Sequence, residues 1–195
     1  MTNIRKGILV VISGPSGVGK GTICRELFQH YGDIQYSVSA TTRQPRAGET
    51  HGKEYFFYSK DEFQHLMQEG ELLEWAKVYD NYYGTPRKYV EEIINQGKDC
   101  ILEIDVQGAL QVKHKKPDGI FIFILPPSKE ELIRRITCRG TEKPDEIDKR
   151  MKQVDEELSH LQDYDYMVLN EDLSRAVETV RAIIIAERCR VDRTC

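Results

Sequence analysis

The stretch from Ile8 to Thr22 constrains this chain more than any other. It opens with an unbroken apolar run, Ile8-Leu9-Val10-Val11-Ile12, too short for most helices and rich in β-branched residues. Such a run reads as a buried strand. Gly14, Gly17 and Gly19 follow, then Lys20, after which Ile23, Leu27 and Phe28 recur at amphipathic-helix spacing. A strand, a glycine-rich loop ending in lysine and a helix together make the setting of a phosphate-binding loop. Glycines let backbone N–H groups converge on phosphate oxygens with no Cβ in the way. The helix N-terminus adds the positive end of its dipole, and Lys20 adds a point charge for the terminal phosphates. The expected contacts to a nucleoside triphosphate are Gly14, Pro15, Ser16, Gly17, Val18, Gly19, Lys20, Gly21 and Thr22. One position departs from the usual pattern. The residue after the lysine is commonly Ser or Thr, whose hydroxyl touches Mg²⁺; here it is Gly21, with Thr22 next. The cradle survives that change, but direct ligation of the metal by that side chain does not. By itself the segment could also be a glycine-rich turn between an ordinary strand and helix.

A chain of 195 residues fits one α/β domain with insertions. With a net charge of −4, it must concentrate its positive groups locally to hold a polyphosphate. Nothing resembles the broad basic face of a nucleic-acid binder. No apolar run is long enough for a membrane span, and no signal-peptide pattern opens the chain. The five cysteines, Cys24, Cys100, Cys138, Cys189 and Cys195, form no C-x-x-C pair. They point to a reducing, cytoplasmic setting without structural disulfides. The five histidines show no metal-ligand spacing.

Along the chain, Gln35 to Ala40 reads as a short strand, and Ser59 to Glu62 as a capping box opening a helix. Glu71 to Tyr79 reads as a strand. Thr85 and Pro86 suit the N-cap and first position of a helix that Gly97 stops. Asp99 to Asp105 and Ile120 to Leu125 read as buried strands. Ser128 to Glu131 is a second capping box, and the break at Gly140-Thr141 separates two helices. Tyr166 to Leu169 is a last strand, Asp172 to about Arg190 the closing helix, and the short tail after Glu187 is expected to be disordered. Strands and helices alternate around one strand-rich insert. That order means a parallel α/β core with an insert beyond the carboxyl ends of the strands.

Three groups of residues carry candidate chemistry. Arg43 and Arg46 lie close together in a polar segment, and forked guanidiniums suit a dianionic phosphate, with Tyr55 and Tyr83 as further donors; a solvated loop is the competing reading. Glu103 and Asp105 end a buried strand on the rim facing the loop, where a carboxylate can hold Mg²⁺ through waters; helix-capping acids are the alternative. Arg135, Arg139 and Arg150 flank the Gly140-Thr141 joint and could close over transferring phosphates; a basic solvated helix would look the same.

Taken in order, Gly14 to Lys20, Ser37 to Glu49, Glu74-Trp75-Ala76, Tyr82 to Thr85, Ile104 to Gly108, Arg139 to Glu142 and Asn170 resemble the guanylate kinase family, from about Lys6 to Arg188. The phosphate loop alone says only that a nucleoside triphosphate binds; the Ser37 to Glu49 segment is far more specific. The resemblance implies an α/β fold: a three-layer P-loop NTPase core with a parallel sheet (residues 1–36, 97–127 and 163–195), a strand-rich GMP-binding insert (37–96) and a helical lid (128–162). It implies that Arg43, Arg46, Tyr55 and Tyr83 hold the GMP phosphate, and that Ser39, Glu74, Thr85 and Asp105 read the guanine. Lys20, Arg135, Arg139 and Arg150 would be the catalytic residues around the transferring group, with Asn170 near the adenine of ATP. The implied activity is Mg²⁺-dependent transfer from ATP to GMP in purine metabolism, in the cytoplasm, by a monomer or homo-oligomer. The Mg²⁺ would be carried by ATP without direct side-chain ligation. The partners would be the small molecules ATP and GMP, with tolerance of dGMP open, and neither nucleic acid nor membrane. Two alternatives belong beside it: a kinase for another nucleoside monophosphate, and a non-catalytic guanylate-kinase-like interaction module.

Overall fold

The structure is a computed structural model that describes residues 6–137 and 144–194; of residues 136–151, 192 and 194 no side chain is described. Five parallel strands form the main sheet: β1 (Leu9–Ser13), β2 (Ile34–Tyr36), β7 (Asp99–Glu103), β8 (Ile120–Leu125) and β9 (Tyr166–Leu169), in the order β2-β7-β1-β8-β9. Helices cover both faces, so the central strands read as continuous apolar runs instead of alternating ones. Val10 and Ile12 point to one face, where they meet Ile23 and Leu27 of α1 (Lys20–His30) and Val180 and Ile184 of α7 (Leu173–Arg188). Leu9 and Val11 point to the other and meet Val90 and Ile93 of α3 (Arg87–Asn95) and Ala109 and Val112 of α4 (Val106–Lys115). Cys24 and Cys100 are buried in these two cores, and Cys189 is exposed.

A second sheet, β4-β3-β6-β5, joins β3 (Ala40–Thr41), β4 (Phe56–Phe57), β5 (Leu72–Val78) and β6 (Asn81–Pro86). It has a small core of its own: Ala40, Leu72 and Phe63 of α2 (Lys60–Gln68), with Phe56, Trp75 and Tyr82 packed around them. Within the 37–96 span, α3 buries Val90 and Ile93 against the main sheet, while its Tyr89 meets Phe56 of this one edge-on at 5.1 Å.

The expected strand from Gln35 to Ala40 is two strands in different sheets. Ser37 N–H still bonds Ile101 O at 3.1 Å, whereas Ser39 O already accepts from Phe56 N–H at 2.8 Å, so the chain crosses between sheets within a few residues. The Ser59 to Glu62 capping box is present in full. At α3 the cap shifts by one residue: Pro86 itself is the N-cap, and the Thr85 hydroxyl donates to Glu74. Ahead of α5 (Lys129–Thr137), Ser128 Oγ accepts from Glu131 N–H at 3.1 Å. The Glu131 carboxylate does not return to the N-cap amide. Arg134 and Arg135 take it at 2.6–2.8 Å and hold its pKa down at about 2. Two charged forks out-compete a neutral amide. The helix α6 (Pro144–Ser159) follows, while the Gly140-Thr141 joint lies outside the described residues. The tail is not disordered throughout: Val191–Thr194 makes a helical turn (α8), where Arg193 pairs with buried Glu187 at 3.2 Å and donates to Asp118 O at 3.0 Å.

One buried ion pair ties the last long helix to the sheet. Asp99, fully buried at the start of β7, accepts from Ile8 N–H at 3.1 Å and from Arg188 Nε at 2.6 Å. Arg188 also bonds Asp33, which Arg181 reaches at 3.1 Å. A charge this deep is stable only while compensated. We expect Arg188→Ala to lower unfolding stability by about 3–5 kcal/mol, because it removes the guanidinium paired with buried Asp99. Urea melts check this; a loss near that of an exposed pair, below about 1 kcal/mol, would show that Asp99 does not depend on Arg188.

Candidate active site

The phosphate loop turns out of β1 at Gly14 and re-enters helix at Lys20. Two of its glycines are required by the structure. Gly14 has φ +138° and a Cβ there would lie 2.4 Å from Ile124 O; Gly19 has φ +101° and its Cβ would lie 2.5 Å from the Asn170 side-chain nitrogen. A bulkier residue at either place would meet both backbone strain and a collision.

Asn170 explains the second contact. It follows β9, is nearly fully buried, and donates its amide to Val18 O at 2.7 Å. Its own carbonyl accepts from Arg135 at 3.1 Å, and Arg135 also reaches Val18 O at 3.4 Å while its Nε bonds Glu131. Asn170 and Arg135 therefore meet on the back of the loop. Lys20 Nζ donates to Gly14 O at 2.5 Å and Pro15 O at 3.1 Å. Burial pushes the Lys20 pKa down, and the nearby carboxylates of Glu103, Glu157 and Asp105 oppose that shift. Arg139 lies outside the described residues; Arg150 belongs to α6, and its side chain lies outside them too.

Across the cleft the second sheet presents a cage around Arg43. Its guanidinium pairs with Glu49 at 2.9 Å, donates to Gln44 O at 2.8 Å, and lies 5.4 Å from the Tyr55 ring and 5.8 Å from the Phe57 ring. The Tyr55 and Tyr83 rings are 6.1 Å apart, and Tyr83 lies within electrostatic reach of Arg43. Glu49 also accepts from Arg46 N–H at 2.7 Å, which closes the loop; the Arg46 side chain is exposed.

Below the cage sits a buried carboxyl group. Glu74, 7% exposed, accepts from the Thr85 hydroxyl at 2.6 Å. Burial, with Asp105 nearby, pushes its pKa up to about 7 against the pull of the Thr85 bond. Asp105 caps α4 by accepting from Gly108 N–H at 2.7 Å. A Cβ on Gly108 would meet Glu74 Oε2 at 3.1 Å and Asp105 Oδ1 at 3.3 Å, so the two carboxylates converge over a residue with no side chain. Gln111 fastens the arrangement: its amide exchanges two bonds with the Trp75 backbone, at 3.0 and 3.2 Å, and so clips β5 to α4. Ser39 lies at the sheet crossing, half-buried. Tyr36 is within electrostatic reach of both Glu103 on the loop side and Glu74 on the second sheet.

The structure thus brings the loop residues, Arg135 and Asn170 together on one side. It gathers Arg43, Tyr55, Tyr83, Glu74, Thr85 and Asp105 on the other. Sequence reasoning missed Glu49, Gly108, Gln111 and Glu157. Glu49 sits six residues after Arg43 in a turn closed by Arg46, a local signal that could have been read. The other three act through contacts that only the fold creates. Among the described residues no group of three or more His, Cys, Asp or Glu could hold a metal ion.

Known proteins match this chain along nearly its whole length. A sequence model of the guanylate kinase family matches residues 6–187. A guanylate kinase from Caldanaerobacter subterraneus subsp. tengcongensis is 60% identical over 189 residues, covering 97% of this chain and 92% of the relative. One from Clostridium tetani is 54% identical over 190 residues, covering 97% and 91%. The crystal structure of guanylate kinase from Anaplasma phagocytophilum superposes with a TM-score of 0.73 at 36% identity, covering 97% of this chain and 90% of that one. With its phosphate loop, parallel core and Arg43 and Glu74 groups, the chain belongs to the guanylate kinase family.

Proposed function

We propose that this chain transfers the γ-phosphoryl group of ATP to GMP, giving ADP and GDP, as a cytoplasmic enzyme of purine nucleotide metabolism. The observation that carries the reading is the buried Glu74–Thr85 pair facing Asp105, across one cleft from a lysine-bearing phosphate loop. In this reading Gly14 to Thr22 cradle the ATP phosphates, Asn170 lies toward the adenine side, and Arg43, Arg46, Tyr55 and Tyr83 hold the GMP phosphate. Ser39, Glu74, Thr85 and Asp105 read the base. Lys20 and Arg135, with Arg139 and Arg150, neutralise the charge of the transferring group.

The acceptor is a phosphate oxygen, already ionised near neutral pH, so the site needs no strong general base. Its work is positioning and charge neutralisation. Lys20 must leave the Gly14 and Pro15 carbonyls to reach phosphate oxygens. Arg43 must share its fork between Glu49 and the acceptor phosphate. Guanine presents N1–H and a 2-amino group side by side, and one carboxylate accepts both. Adenine presents a lone pair and a C–H at that edge, so Glu74 disfavours the reading as an AMP kinase. The presence of Lys20 and Arg135 disfavours a non-catalytic module.

The site also fits a magnesium ion held mainly by phosphate oxygens and water. Such ions need only one or two protein carboxylates, and Glu103, with Asp105 two residues on, stands beside the loop. When bound, the ion would withdraw charge from the phosphate oxygens.

Lys20→Ala should lose roughly 3 kcal/mol or more of transition-state stabilisation, about a hundredfold or more in rate, with the fold intact. Coupled ADP-release assays measure it, and near-wild-type turnover in a folded variant would sink the phosphate-loop reading.

Glu74→Gln replaces two acceptors by one acceptor and one donor. A site built on such contacts can discriminate by roughly 10⁴–10⁵, so wild type should barely use AMP and the variant should narrow the GMP/AMP ratio of kcat/KM. An unchanged ratio would remove Glu74 from base reading.

The raised pKa of Glu74 makes two linked pH effects. Guanine needs the carboxylate, so kcat/KM for GMP should rise with pH through about 7. The titration of GMP itself is shared by Glu74→Gln and subtracts out. For stability the sign is the reverse. The folded state binds the Glu74 proton more tightly than the unfolded chain does, so this contribution is present below pH 4.5 and lost as pH rises to about 7. The loss is at most about 3 kcal/mol. Glu74→Gln should therefore gain on wild type between pH 5 and pH 8 in thermal melts; parallel melting curves would contradict the shift.

A further inference from the structure

Glu103 stands over the position where the phosphate loop lacks its usual side chain. A Cβ on Gly21 would lie 3.1 Å from Glu103 Oε1, closer than a methyl group and a carboxylate oxygen comfortably rest, and in ordinary contact with Oε2 at 3.5 Å. The backbone does not demand glycine there. Gly21 is the second residue of α1 and its φ is outside the left-handed region, where glycine is among the least helix-favouring residues. What glycine supplies is space. The β1–β7 register sets Glu103 beside Ile12, just ahead of the loop, and Gly21, Cys24, Tyr36 and Glu103 line one cavity of about 350 Å³. Among the described residues no protein group donates a hydrogen bond to the Glu103 carboxylate, and Lys20 is the cation within its electrostatic reach.

We propose that Gly21 and Glu103 are a matched pair. The Glu103 carboxylate takes the volume that a Ser or Thr side chain fills in the usual loop, and from there it positions the water shell of the Mg²⁺ carried by ATP. The inference rests on the reading of the loop as the ATP site. A hydroxyl at position 21 and the full reach of glutamate compete for one volume. Shortening Glu103 to aspartate withdraws the carboxylate by one methylene and frees that volume. Glycine with glutamate and serine with aspartate are each self-consistent; the two mixed combinations are not. Gly21→Ser alone crowds the carboxylate and ties it up in a local hydrogen bond. Glu103→Asp alone leaves a gap where neither oxygen reaches.

Calorimetric titration of ADP with and without Mg²⁺ tests this without turnover, with thermal melts reporting the fold of each variant. Wild type should bind ADP more tightly with Mg²⁺. Glu103→Gln, Glu103→Asp and Gly21→Ser should each cut that Mg²⁺-dependent gain by roughly tenfold or more, the range for altered outer-shell groups, each gain being the ratio of that variant's own affinities for ADP with and without Mg²⁺. The double variant Gly21→Ser with Glu103→Asp should recover most of the gain. A full Mg²⁺ gain in Glu103→Gln would overturn the assignment of Glu103. A double variant no better than the product of the two single losses would show the positions to be independent and overturn the pair. Wild-type protein that bound no ADP in either condition would overturn the phosphate-loop reading, and the pair with it.

Discussion

The bond from the Asn170 amide to Val18 O, 2.7 Å long and nearly out of solvent, is the contact on which the rest of the site depends. A loop that must aim most of its N–H groups at a polyanion can bond few of them to itself, here Val18 N–H to Pro15 O at 3.3 Å, so it lacks the internal ladder that holds a helix or strand. Its shape has to be imposed from outside. Asn170 does this from the end of β9, and Arg135 adds a second donor from α5 while accepting its own position from Glu131. The same arrangement makes glycine obligatory at position 19, where a Cβ would strike the Asn170 amide. The phosphate loop is thus continuous with the far edge of the sheet, and α5 is tied to the loop before any nucleotide arrives.

On the other side of the cleft, specificity is built at the expense of stability. Glu74 is a carboxyl group at a site that protein folding alone would leave apolar. Thr85 satisfies one of its oxygens, while Asp105, held by its own cap to Gly108, adds a like charge nearby. The energetic result is a group poised to lose its proton near neutrality. Under the proposed function that is useful, because two guanine donors restore what burial removed. Glu49 does the corresponding work for Arg43 by standing in for an anion: with Tyr55, Phe57 and Tyr83 it keeps a flexible guanidinium in one place.

What was legible in the sequence was what depends on neighbours along the chain. The apolar run from Ile8 to Ile12, the glycine spacing and the Ser59 capping box each involve a few consecutive residues, and each appears as expected. Readings went astray where a tertiary partner took a group that local rules had assigned. The Thr85 hydroxyl turned to Glu74, and the N-cap of α3 is Pro86. Arg134 and Arg135 took the Glu131 carboxylate. Buried Glu187 drew Arg193 inward and put into a helical turn part of a tail that was expected to be disordered. The Gln111 clip and the convergence of Glu74 and Asp105 over Gly108 join residues more than thirty apart, and no window along the chain contains them.

The acids around Lys20 look at first like a liability in a protein of net charge −4 that is to bind a polyphosphate. Glu103, Glu157 and Asp105 all add negative potential where more negative charge must come. Their effect on the lysine resolves the conflict. Burial lowers the Lys20 pKa, and a neutral amine would be useless against a phosphate; the carboxylates oppose that shift and favour the charged ammonium. They act on one another through it as well, since the Lys20 charge opposes the upward shifts of both Glu103 and Glu157. Until nucleotide binds, the Gly14 and Pro15 carbonyls hold the ammonium, so the charge is stored inside the loop and not exposed to solvent. Phosphate oxygens that displace those two carbonyls gain a full positive charge already desolvated and in place, and preorganisation of that kind is what makes a point charge effective in catalysis.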